Sequence, residues 1–150
     1  MSEKLKFLVQ EWITFERESF ISATANFSYS SLLSLTKQEV IEWAYNTRDD
    51  LLSKRLDLCS SIKLFFIDNI KSLSRGSKAK MVRGILKLLE EIERLITSEF
   101  DSLTNVISML ESGEPLESYD VKAQIENLGL CENKIRKYLS QFYHYVQNFF

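Results

Sequence analysis

The stretch Val121-Lys-Ala-Gln-Ile-Glu-Asn-Leu-Gly-Leu-Cys-Glu-Asn-Lys-Ile-Arg-Lys-Tyr138 bears most directly on the fold. Val121, Ile125 and Leu128 recur at helical spacing, and Ile135 with Tyr138 or Leu139 resumes that spacing beyond a glycine. The stretch therefore predicts a short helix over 118–128, a tight turn at Leu128-Gly129-Leu130-Cys131, and a last helix over 132–149. Phe142, Val146 and Phe149 continue the apolar face of that last helix. Glycine suits such a turn because a positive φ costs other residues about 1 kcal/mol or more.

Working outward, Gly113-Glu-Pro115 closes a preceding helix over 101–112, whose apolar positions are Leu103, Val106 or Ile107, and Leu110. Further upstream, Met81, Ile85, Leu88, Leu89 and Ile92 mark a helix that carries Gly84 in its interior, a cost unless a neighbouring helix packs closely there. Thr97-Ser98-Glu99 interrupts this spacing and predicts a boundary between two lobes, 1–97 and 98–150. Ser74-Arg-Gly-Ser77 predicts the turn of a long antiparallel hairpin, with Gly76 left-handed and Ser77 capping the next helix. The other arm of the hairpin is the apolar stripe from Val40 to Leu73, with a break around 46–50. Thr36-Lys-Gln-Glu39 is a capping box that starts this arm. Leu5, Leu8, Val9, Trp12, Phe15 and Phe20 predict a first helix that starts at Ser2 and fades near 23–26, followed by a serine-rich linker over 26–34.

Composition agrees. Four glycines and one proline in 150 residues favour long helices over an all-β fold. The fold class expected is all-α: a helical bundle with a long antiparallel hairpin and a C-terminal tri-helical unit. Met1-Ser-Glu-Lys-Leu-Lys lacks the character of a secretion signal, and no apolar run approaches the ~20 residues that span a bilayer. An intracellular location is expected, cytoplasmic or at the nucleoid or nucleus, with no membrane partner. Cys59 and Cys131 read as two separate buried thiols. Asn26-Phe-Ser matches a glycosylation sequon that has no meaning without secretion.

The three helices over 98–149, with Gly129 in the tight turn and Leu130 under it, resemble the helix-turn-helix superfamily of DNA-binding units. The resemblance covers a third of the chain. It departs from the pattern at Cys131, where a capping Ser or Thr is usual, at Ile125, where a small residue is usual, and in having no β-hairpin wing. The resemblance implies that the last helix is the recognition helix, with Asn133, Lys134, Arg136, Lys137, Ser140 and Gln141 facing outward. Arg and Lys reach phosphates or guanine edges, and Asn and Gln pair with adenine edges. Against this, residues 98–150 hold eight acidic and four basic residues.

Charge distribution offers a second route to DNA. The net charge is −2, yet residues 48–87 hold ten Lys or Arg against four Asp. Arg75, Lys78, Lys80, Arg83 and Lys87 cluster at and beyond the hairpin turn, where they can grip phosphate backbone without reading sequence. Catalytic chemistry has little support: His144 is the only histidine, Glu90-Glu91-x-Glu93 is a solvated helix face, and no phosphate loop, dinucleotide fingerprint or metal-binding motif is present. No cofactor, metal or small-molecule substrate is evident. The expected function is that of a non-enzymatic DNA-associated regulator or accessory subunit. The alternative is a protein–protein scaffold, with a protein partner or homo-oligomer covering the apolar residues that one small bundle cannot bury, such as Phe65-Phe66-Ile67 and Phe149-Phe150.

Overall fold

The computed structural model describes residues 2–20 and 27–150. The expected end of the first helix at 23–26 and the sequon residue Asn26 lie outside the described residues. Helix α1 (Ser2–Phe15) runs into a π-helical segment (Glu16–Phe20). A short α2 (Tyr29–Leu32) and α3 (Lys37–Asn46) follow. A second π-helical segment (Thr47–Leu52) leads into α4 (Ser53–Asp68) and the one-turn α5 (Ile70–Leu73). Two long helices, α6 (Lys78–Glu111) and α7 (Tyr119–Val146), complete the bundle, and a 3₁₀ turn (Gln147–Phe149) ends it. No strand occurs among the described residues.

Local sequence accounts for several boundaries. Thr36 and Glu39 close the capping box in both directions, Glu39 N–H to Thr36 Oγ1 at 3.2 Å and Thr36 N–H to Glu39 Oε1 at 3.0 Å. The amide and hydroxyl of Thr36 hold the Glu39 carboxyl below its usual range. Gly76 takes φ +60°, the left-handed value that ends a helix most cheaply on glycine. Ser77 does not cap: it is already in helical conformation and its side chain makes no capping bond. The serine-rich stretch is not a plain linker. Ser28 Oγ accepts the Ser31 amide and starts α2, which buries Leu32. The break expected at 46–50 is the second π-helical segment, where the Ser53 amide reaches back five residues to the Arg48 carbonyl.

α4 and α5 fold back on α6 through residues 74–77, forming the antiparallel hairpin; Cys59 Sγ lies 3.5 Å from the Leu89 carbonyl oxygen across it. α6 and α7 form a second, longer antiparallel pair, with Asn105 opposite Gln124 and Ser102 opposite Asn127. The core is shared along the bundle, from Leu5, Trp12 and Phe66 to Ile92, Leu103, Ile135 and Phe142. A smaller cluster of Leu32, Val40, Val106, Leu110, Leu116, Val121 and Ile125 closes the far end.

Two expectations need correction. The spacing break at Thr97-Ser98 is not a helix end. α6 is unbroken for 34 residues, about 50 Å at 1.5 Å per residue. Its buried face carries Glu99 and Ser102 between Ile96 and Leu103, so polar residues inside the core, not a new helix, interrupt the apolar pattern. The proposed division into 1–97 and 98–150 thus falls in mid-helix, and the main core cluster contains residues from both sides of it. The turn expected at Leu128-Gly129-Leu130-Cys131 is also absent: α7 runs through it for 28 residues. The tri-helical unit is therefore replaced by two long helices. Gly129 serves close approach. A Cβ placed there would lie 2.9 Å from the Phe27 carbonyl oxygen. Leu130, expected under the turn, is exposed.

Candidate functional site: a basic end and a buried arginine cluster

The antiparallel pairing gathers the start of α1, α5, the start of α6 and the end of α7 at one end of the bundle. Ser2, Leu5, Leu73, Lys78 and Phe149 line a small cavity there, and Lys78 Nζ sits 5.2 Å from the centre of the Phe149 ring. Between Asp68 and Glu90 the chain has six cations, Lys71, Arg75, Lys78, Lys80, Arg83 and Lys87, and no carboxylate side chain. All six are exposed. No acidic side chain follows Glu132 either. At the opposite end, residues 111–126 carry Glu111, Glu114, Glu117, Asp120 and Glu126 against one cation, Lys122. The two ends of the bundle thus have opposite charge.

All ten residues expected to bind nucleic acid are exposed. Arg75, Lys78, Lys80, Arg83 and Lys87 share the basic end. Asn133, Lys134, Arg136, Lys137 and Gln141 lie along the last turns of α7 and not on a separate recognition helix. They do not share one face. Lys134 lies near Glu91 of α6, whereas Arg136 lines a cleft against α1 and pairs with Glu132 at 3.4 Å. The basic surface is also narrower than the count over 48–87 implies. Arg48 is held by Asp49 and packs over Tyr45 and Phe100, Lys63 is paired with Glu93, and Arg55 is buried.

Arg55, one of the ten cations of 48–87, lies in the core. Its guanidinium, 1% exposed, lies among three carboxylates from three other elements. Nε donates to Glu16 at 3.0 Å and Nη2 to the same carboxylate at 2.5 Å. Nη1 donates to Glu132 at 2.6 Å and to Glu99 at 3.4 Å. The Phe20 ring covers the guanidinium at 4.0 Å. Both π-helical segments border this cluster: one carries Glu16 and Phe20, and the other leads directly into the turn of α4 that carries Arg55. Such π segments are rare in helices and frequently fall at functional sites.

One guanidinium cannot neutralise three carboxylates. Burial pushes the Glu99 carboxyl well above its usual range, against the pull of Arg55 and reinforced by Glu132. Glu99 Oε2 has no hydrogen-bond partner among the described residues. Burial likewise raises Glu16, again against Arg55. Arg55 itself is held firmly protonated: burial opposes its charge, but Glu132 and Glu16 outweigh that. The periodic signal for this cluster is present in the sequence. Arg55, Glu99 and Glu132 each fall on the apolar stripe of their own helix, beside Leu52 and Cys59, Ile96 and Leu103, and Leu128 and Ile135.

A cleft of about 870 Å³ opens beside the cluster, between α1 and α7. Glu16, Arg55 and Glu132 form its floor, and Ile13, Phe20 and Leu139 its apolar walls. Cys59 is buried, and burial pushes its thiol up to about 12, which leaves it unreactive. His144 is exposed, its ring 5.6 Å from that of Tyr145. No group of three His, Cys, Asp or Glu side chains among the described residues is placed to hold a metal ion, and no helix among them is long and apolar enough to cross a membrane. Comparison with protein-family models, curated proteins and solved structures returns no match.

Proposed function

We propose that this protein is a non-enzymatic, DNA-associated accessory protein that holds phosphate backbone through its basic end. The observation that carries this reading is the run of six exposed cations with no carboxylate between Asp68 and Glu90. A cluster with no carboxylate along its own stretch of chain keeps much of its positive potential. Arg75, Lys78, Lys80, Arg83 and Lys87 are the principal contacts, and Lys134 and Lys137 on α7 extend them. With α7 continuous through Gly129, the contact is with backbone charge, and groove reading by Asn133 and Gln141 is secondary. The reading places the protein inside the cell.

The test is fluorescence anisotropy of the full chain with labelled single- and double-stranded DNA across a salt series. Affinity should fall linearly with salt on a logarithmic plot, by about 0.9 per phosphate contacted on duplex. No binding at low salt would overturn the reading. A protein–protein scaffold is the second reading, favoured by Leu64, Ile67 and Ile70, which are 57%, 45% and 40% exposed on neighbouring turns of α4 and α5. It requires lost complex formation after Leu64→Ser with Ile67→Ser, and no effect of DNA.

A further inference from the structure

We propose that the cleft between α1 and α7 binds a small amphiphile with one anionic head on an apolar body, such as a medium-chain carboxylate. Its volume of about 870 Å³ lies within the usual size of small-molecule sites, and its walls are mainly apolar. The chemistry of the head follows from which polar groups remain available. Glu16 and Glu132 on the floor are committed to Arg55 through five hydrogen bonds, so they do not invite a cationic ligand. The other polar groups along the cleft, Arg17, Arg136, Ser140, Tyr143 and Gln147, include two cations and no further carboxylate. Arg17 stands at the rim and makes no ion pair among the described residues. Ser140 is exposed on the α7 side. The Tyr143 hydroxyl is buried and has no hydrogen-bond partner among the described residues. Burial, with Glu16 nearby, raises this phenol, so it stays protonated and can donate.

A ligand carboxylate or phosphate supplies the acceptor that Tyr143 lacks, and the guanidinium of Arg17 supplies its counter-charge. The apolar body then lies against Ile13, Phe20 and Leu139. The Phe20 ring is packed against the Arg55 guanidinium at 4.0 Å. This inference does not rest on the DNA reading, since Tyr143, Arg17 and Ser140 are separate from the basic hairpin turn.

The experiment is isothermal titration of the full chain with decanoate, decyl phosphate and decylammonium, each below its micelle-forming concentration. Decanoate or decyl phosphate should bind at one saturable site at least tenfold more tightly than decylammonium. The tighter of the two anions identifies the head as carboxylate or phosphate. Tyr143→Phe should weaken binding about fivefold or more, and Arg17→Glu tenfold or more. Ser140→Glu, at an exposed position that leaves the core untouched, should abolish binding by placing a like charge at the head. The proposal is overturned if neither anion saturates, if decylammonium binds equally well, or if Ser140→Glu and Tyr143→Phe both bind as the parent does.

Discussion

Arg55 and Glu132 meet as two parallel forks, with Nη1 donating to Oε1 at 2.6 Å and Nη2 to Oε2 at 3.0 Å, across 77 residues of chain. The bond ties α4 to α7 inside the core, while Glu16 and Glu99 tie the same guanidinium to the α1 extension and to α6. One side chain therefore joins four elements of the bundle.

Replacing that side chain should be costly. Arg55→Met leaves Glu16, Glu99 and Glu132 buried without a counter-charge, and breaking a buried ion cluster on one side costs about 3–5 kcal/mol. Arg55→Lys should recover little of this, because an ammonium cannot serve two carboxylates with a planar fork. Urea denaturation of the three proteins would measure both differences, and a loss below about 1 kcal/mol for Arg55→Met would rule out a structural role for the cluster.

Glu99 gives the protein an unusual dependence on pH. Burial holds its carboxyl well above its ordinary value of 4.5 in the fold, so between that value and the folded one the native state binds a proton that the unfolded chain has lost. Stability from this group is complete below about pH 4.5 and falls as pH rises, by about 1.4 kcal/mol for each unit of separation. Glu99→Gln keeps the shape and a donor but cannot ionise. It should raise stability at neutral pH and flatten the decline, leaving the smaller slope that Glu16 contributes in the same direction. Denaturant midpoints at several pH values would show whether the two curves converge in acid, as they must.

Most local signals, though not the cap expected at Ser77, match the structure, and the misses lie mainly where contacts distant along the chain decide it. Thr36 with Glu39, and Gly76 at the hairpin turn, rest on neighbours three residues away or fewer, and both form as their residue types require. The apolar stripes of α1, α4 and α6 are equally local and mark an all-α fold. Arg55 is one of the ten cations counted over 48–87, and its immediate sequence neighbours do not show the three carboxylates that hold it, which lie 39, 44 and 77 residues away. Thr97-Ser98-Glu99 and Gly129 were read as breaks because polar residues and glycine usually end helices. Here burial of Glu99 against Arg55, and the approach of Phe27 to Gly129, supply reasons that only packing reveals.

The glycines give a direct comparison. Gly84 lies within α6 with no atom in reach of an added Cβ, so Gly84→Ala should gain stability by up to about 1 kcal/mol from helix propensity alone. Gly129→Ala has the same propensity gain but drives a Cβ to 2.9 Å from the Phe27 backbone oxygen. A backbone atom yields less than a side-chain tip, and overpacking of this kind costs about 1–3 kcal/mol, so the net change should be a loss. Thermal denaturation of the pair should move the midpoints in opposite directions. Equal gains would mean that α7 does not pack against residue 27 in solution.

The proposed DNA contact differs from groove recognition in how variants should behave. If the basic end meets backbone charge, Lys78→Glu with Arg83→Glu should weaken binding to two unrelated duplexes by the same factor and lower the salt slope by about 2. Both side chains are exposed, and the change gives up only the contact of Lys78 over the Phe149 ring, so the bundle should still fold. Asn133→Ala and Gln141→Ala should leave the ratio between the two duplexes unchanged, because α7 offers these residues along the side of a continuous helix. Competition anisotropy with both duplexes would read that ratio. A variant of Asn133 or Gln141 that lowers affinity for one duplex alone, by the tenfold or more typical of a lost base contact, would restore α7 as a reading helix and displace the hairpin turn from its leading role.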